Sequence, residues 1–137
     1  MTSWVVDCSL VLGWCLPDER SDRSDRFFAV LPPSAILRVP ALFWYEASNA
    51  LSVAARRGRI PQEECDRLSS LVAGLPLVTD PSTPETMRRL TALAVRHGLS
   101  AYDTAYLDLA LRSASGLATL DDRLSDVARK VGLAVPD

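Results

Sequence analysis

The feature that most limits what this chain can fold into is an alternation of short apolar runs with longer segments punctuated by proline and glycine. The runs are Trp4 to Val6, Ile36 to Val39, Leu75 to Val78, Leu117 to Leu120 and Leu133 to Val135. Each is too short for a helix and suits a buried strand. Between them, Ser9 to Leu16 reads as a helix stopped by Pro17, and Asp18 to Leu31 as a more exposed helix with acids in its first turn. Leu42 to Arg57 closes at Gly58, Pro61 opens a helix running to about Ala73, and Thr83 to His97 ends with Gly98 in the C′ position. Ala101 to Ser113 and Asp122 to Val131 complete the helices. Strands alternating with helices form βαβ units, whose right-handed crossovers place helices on both faces of a parallel sheet. The expected fold is therefore α/β, with three α/β/α layers around a parallel central sheet.

Composition narrows the function classes. A chain of 137 residues fits one domain, spanning 1–137, with an ordinary core. No stretch approaches the roughly 18 charge-free residues that cross a bilayer. Asp7 interrupts the first apolar run and no basic segment precedes it, so neither a membrane span nor a signal peptide is expected. Cys8, Cys15 and Cys65 are odd in number and form no CxxC pair, which points to reduced thiols in a cytoplasmic protein. The net charge of -2 and pI near 5.4 exclude a protein that grips nucleic acid by overall charge. An anionic ligand must be held by a local patch or by bound cations.

The strand ends carry acids. Ligands of an open parallel sheet bind beyond the C-terminal ends of its strands. Asp7 stands at such an end, Asp121 directly follows the Leu117 to Leu120 run, Glu46 lies in the second turn of its helix and Asp103 in the first turn of another. Each singly also fits a helix cap or dipole partner, Asp103 with Ser100 and Asp121 as an N-cap. Direction separates the readings. From Asp103 the same-face positions are Tyr106, Leu107 and Ala110; from Glu46 they are Asn49, Ala50 and Val53; from Asp121 they are Leu124, Ser125 and Ala128. These faces are mostly apolar and point inward. Asp18, Asp108 and Asp122 are assigned instead to solvated surface. Ser9 and Thr119, two residues from Asp7 and Asp121 respectively, are candidates to support the acids, Ser9 equally as a cap.

Inward carboxylates close together repel, and a bound divalent cation relieves that repulsion. Oxygen donors suit Mg²⁺ or Mn²⁺ rather than zinc. Other chemistries lack their residues. His97 is the only histidine and precedes Gly98 at a helix end, so no acid–base histidine pair exists; GxSxG, GxGxxG and GxxxxGK[ST] are absent. The chemistry that remains is phosphodiester hydrolysis assisted by one or two metal ions. A phosphoryl-accepting Asp7 of the haloacid dehalogenase kind would need a second Asp where Ser9 stands. A receiver domain would need a lysine near a late strand end, whereas Lys130 sits inside the last helix.

Four pieces, in order, resemble the PIN-domain nucleases and, within them, the VapC-type toxins of toxin–antitoxin pairs. They are Val5-Val6-Asp7-Cys8-Ser9, Tyr45 to Leu51, Ser100 to Leu107 and Leu117-Ala118-Thr119-Leu120-Asp121. The resemblance covers essentially the whole chain. It implies a PIN-like fold and an acidic quartet of Asp7, Glu46, Asp103 and Asp121 that binds Mg²⁺ or Mn²⁺, with Ser9 and Thr119 as polar neighbours. It also implies endonuclease action on structured RNA such as transfer or ribosomal RNA, homodimers, and a VapB-like antitoxin folded over the groove. Arg56, Arg57 and Arg59 are candidate contacts to RNA or antitoxin, or a solvated helix end. A PIN-like scaffold without catalysis is the competing reading, and the intact quartet argues against it.

Overall fold

The structure, a computed structural model, describes residues 2–137. β1 (Ser3–Val6) lies inside a parallel sheet of order β3-β2-β1-β4, where β2 is Ile36–Pro40, β3 Leu77–Asp80 and β4 Gly116–Ala118. Pairing sets Trp4 opposite both Leu37 and Gly116, and Val6 opposite Ala118. Side chains alternate across the pleat. Val6, Leu37, Val39 and Ala118 therefore face one layer, and Val5 and Leu117 face the other.

The first layer holds α1 (Cys8–Cys15), α2 (Asp22–Val30), α3 (Leu42–Arg56) and α4 (Gln62–Ala73), with Phe43, Leu51 and Leu68 in its core. The second holds α5 (Pro84–His97), α6 (Ala101–Ser113) and α7 (Asp122–Lys130), with Tyr106, Leu107 and Leu124 against the sheet. Each buried Leu or Val contributes roughly 1.5–3 kcal/mol, so both faces must be covered. Trp4 leans over Gly116, where a β-carbon would lie 2.4 Å from the indole ring; glycine is what lets β4 pass beneath it. Gly98 ends α5 in the left-handed region at φ 65°, as its C′ position requires. No helix among the described residues is long and apolar enough to cross a membrane, and Cys8, Cys15 and Cys65 are free thiols.

Several expectations shift. The second helix does not begin at Asp18: Pro17–Glu19 form a 3-10 turn, and α2 starts after Ser21, whose hydroxyl caps it. β3 begins at Leu77 rather than Leu75, and β4 ends at Ala118 rather than Leu120. The closing strand at residues 133–135 does not form; a single Leu117 N–H to Ala134 carbonyl bond of 2.9 Å joins that tail to β4. Asp108 is not solvated. It is 3% exposed and held by Arg89 at 3.2 Å and Arg112 at 2.9 Å, and Arg112 also grips Asp80 at 2.7 Å. These bonds tie α5, α6 and the end of β3 together.

Candidate active site

The ends of β1 and β4 are adjacent; Asp7 directly follows β1, and Asp121 stands three residues past the end of β4. Asp7 follows β1 as the N-cap residue of α1, yet its carboxylate caps nothing. It is 7% exposed, and its Oδ2 accepts hydrogen bonds from Thr119 Oγ1 at 2.6 Å and Ser9 Oγ at 2.8 Å. Those hydroxyls look both ways. Thr119 Oγ1 accepts the Asp121 N–H at 3.0 Å, and Ser9 Oγ accepts the Leu120 N–H at 3.1 Å. Ser9 is thus an anchor for Asp7 and for the chain after β4.

Asp121 is exposed and caps α7 through Oδ1, which accepts the Leu124 N–H at 3.1 Å. Capping and groove lining, treated as alternatives on spacing alone, coexist here because a carboxylate has two oxygens. At Asp103 the backbone N–H meets the Ser100 cap at 3.1 Å and the carboxylate takes no part in that bond. Glu46 projects from α3, and the buried Tyr106 donates its hydroxyl proton to Glu46 Oε1 at 2.5 Å.

Asp7, Glu46, Asp103 and Asp121 line one open groove of about 670 Å³ beyond the strand ends, together with Ser9, Asn49 and Glu19. No arginine or lysine is in that lining. Burial first, and then Asp121, holds the Asp7 carboxyl above its usual range, with the Thr119 and Ser9 bonds opposing. Burial followed by Asp121 and Asp7 raises Asp103, opposed by the Ser100 hydroxyl and the charge of Arg123. Burial raises Glu46, opposed by the Tyr106 bond and reinforced by Asp7 and Asp103. The Cys8 thiol in the same groove is pushed up by burial, Asp7 and Glu46, so it stays protonated and is no nucleophile. Burial and the Glu46 bond likewise keep the Tyr106 phenol protonated.

The donor set is all oxygen, anionic and mutually repulsive, which fits Mg²⁺ or Mn²⁺. Among the described residues no three Asp, Glu, His or Cys side chains close into a ready-made cage. Mg²⁺ does not require such a cage, since it usually keeps several waters and takes one or two carboxylates directly.

Arg56 and Arg57 are exposed at the end of α3, and Arg59 pairs with Asp18 at 3.0 Å; none of the three lines the groove. Spacing missed Tyr106, Asn49 and Glu19. Tyr106 was counted as part of an apolar face, although a buried phenol needs a hydrogen-bond partner and so carried a signal.

A PIN-domain family model matches residues 4–130. The chain belongs to the PIN-domain nuclease family. Ribonuclease VapC3 of Pyrobaculum aerophilum is 32% identical over 123 residues, 89% of this chain and 92% of that protein. Two solved structures share the fold. VapC20 of Mycobacterium tuberculosis, a sarcin–ricin loop cleaving toxin, matches at TM-score 0.66 with 16% identity, covering 96% of each chain. A toxin–antitoxin complex from Klebsiella pneumoniae matches at TM-score 0.57 with 16% identity over 85% of each chain. In this PIN-domain chain, as the sheet topology requires, the acids from distant segments gather at one edge.

Proposed function

We propose that this PIN-domain chain is a Mg²⁺- or Mn²⁺-dependent endoribonuclease that cuts structured RNA, transfer or ribosomal, as the toxin of a toxin–antitoxin pair. The observation that carries the reading is the meeting of Asp7, Glu46, Asp103 and Asp121 in one groove with no arginine or lysine in its lining. An RNA phosphate cannot enter such a groove unless its charge and theirs are compensated. A divalent ion, or two, held by those four acids would polarise the scissile phosphate and lower the pKa of the attacking water.

The chain's own groups divide the remaining work. Thr119 and Ser9 donate to the Asp7 carboxylate and favour its charged form, opposing the upward push of burial. Glu46, with one oxygen bonded by Tyr106, has the other available to ligate or to orient water. Asp121 keeps one oxygen in the α7 cap and offers the other. Arg56, Arg57 and Arg59, exposed outside the groove, would contact an RNA phosphate or an antitoxin carboxylate in this reading, Arg59 on release from Asp18.

RNA as the substrate is supported by the ribonuclease VapC3 relative, and a partner by the Klebsiella complex of the same fold. In the proposed form the chain is a homodimer whose groove a VapB-like antitoxin covers. The experiment is to map fragment ends after digestion of purified transfer and ribosomal RNA with Mn²⁺. New internal ends at a few fixed positions, lost when the protein of the adjacent reading frame is added, are expected. Shortening from the termini alone would replace the endonuclease reading with an exonuclease one.

A further inference from the structure

Tyr106 stands one turn beyond Asp103 on α6 and is 1% exposed, one of the largest fully buried side chains. Its ring belongs to the core beneath α6 and α7, but its hydroxyl leaves that core to donate to Glu46 Oε1 at 2.5 Å. Glu46 comes from α3, in the layer on the other face of the sheet. A buried phenol needs an acceptor, and a backbone carbonyl would serve as well. Here the acceptor is a carboxylate of the acidic groove. Glutamate has freely rotating χ angles, and pinning one oxygen restricts where the other lies. Asp7 is pinned in the same manner by Thr119 and Ser9. Helix α6 thus supplies Asp103 directly and sets Glu46 through a strut one turn away.

We propose that Tyr106 is a positioning residue of this centre, its hydroxyl holding Glu46 in the orientation that lets the carboxylate share a divalent cation with Asp103. The inference rests on the proposed metal-dependent reading of the groove. It distinguishes Tyr106 from a core filler whose hydroxyl merely found a partner, because removal of a ligand's hydrogen-bonding support typically weakens metal affinity by roughly 10–100-fold.

The test is Mn²⁺ binding, followed by water-proton relaxation without RNA, for wild type, Y106F, E46Q and the double variant. Tyr106→Phe keeps the ring and removes only the hydroxyl. Binding about 10–100-fold weaker in Y106F, with no further loss when Y106F is added to E46Q, is expected. Wild-type affinity in Y106F, or a full second loss in the double variant, would overturn the inference. Wild-type protein that takes up no Mn²⁺ would overturn the metal reading and the inference with it. Should Y106F fail to fold, Y106L, which also lacks the hydroxyl and leaves Glu46 intact, takes its place. The same loss is then expected, and wild-type affinity would overturn the proposal.

Discussion

The Thr119 hydroxyl donates to Asp7 Oδ2 at 2.6 Å while accepting the Asp121 N–H at 3.0 Å, so one buried side chain fixes the ends of two neighbouring strands to each other. Replacing it with valine keeps the shape and removes both bonds. Such bonds to a charged group contribute roughly 1.5–3 kcal/mol, and an unsupported ligand loses affinity roughly 10–100-fold. Thr119→Val is expected to melt earlier and to bind Mn²⁺ more weakly. Calorimetry and metal titration on the same preparation check both. Unchanged Mn²⁺ affinity in a destabilised variant would reduce Thr119 to a structural role.

The metal-free protein should respond to pH in a defined direction. Asp7, Glu46 and Asp103 have folded values raised above 3.8 for Asp and 4.5 for Glu. A group with a raised folded value binds protons more readily folded than unfolded. Its contribution to stability is complete below the unfolded value and is lost as pH rises through the folded one. In EDTA, the melting temperature is therefore expected to fall as pH rises from the ordinary carboxylate range toward neutrality, and Mn²⁺ to flatten the curve. Asp103→Asn should lessen the fall and raise metal-free stability at pH 7 by less than about 1 kcal/mol, since the partly exposed carboxylate is screened by solvent. Melting curves across pH, with and without Mn²⁺, are the check. A melting temperature that climbs over this window in EDTA would count against repulsion among the acids.

Asp108 should behave in the opposite way to the groove acids. Its carboxylate joins Arg89 and Arg112 on the far side of α6, outside the groove lining. Removing one partner of a buried pair costs roughly 3–5 kcal/mol, and about 2–3 is expected here because both arginines reach solvent. Asp108→Ala is thus expected to lower stability by that amount and to leave Mn²⁺ affinity of the folded protein unchanged. Denaturant unfolding and a Mn²⁺ titration separate the two effects.

What was legible in the sequence, and what was not, follows from how local each signal is. Helix ends written in proline and glycine were readable because φ preferences act within a turn. Gly98 closes α5 as expected, and the helix opens at Pro84, one residue after the expected start at Thr83, which caps it. Strand limits were less so. β3 takes its bounds from pairing with β2, Pro40 opposite Asp80, and Leu75 instead follows the α4 end and packs into the core. Residues 133–135 read as a strand by composition, but with one hydrogen bond to β4 they join no ladder. The four acids came together because their positions at strand ends and early helix turns are set by topology. Asp108 was misplaced because spacing names a helix face without naming what covers it; α5 brings Arg89 onto that face. Tyr106 escaped notice because its ring reads as core while its hydroxyl acts at the groove.

The most direct test of the central claim is cleavage of total cellular RNA by purified, partner-free protein with Mn²⁺, beside EDTA and Asp103→Asn controls. Discrete fragments that vanish in both controls, with Asp103→Asn still folded, are the predicted result. Cleavage that survives EDTA or the substitution, or folded wild-type protein that cuts no RNA, would contradict the account.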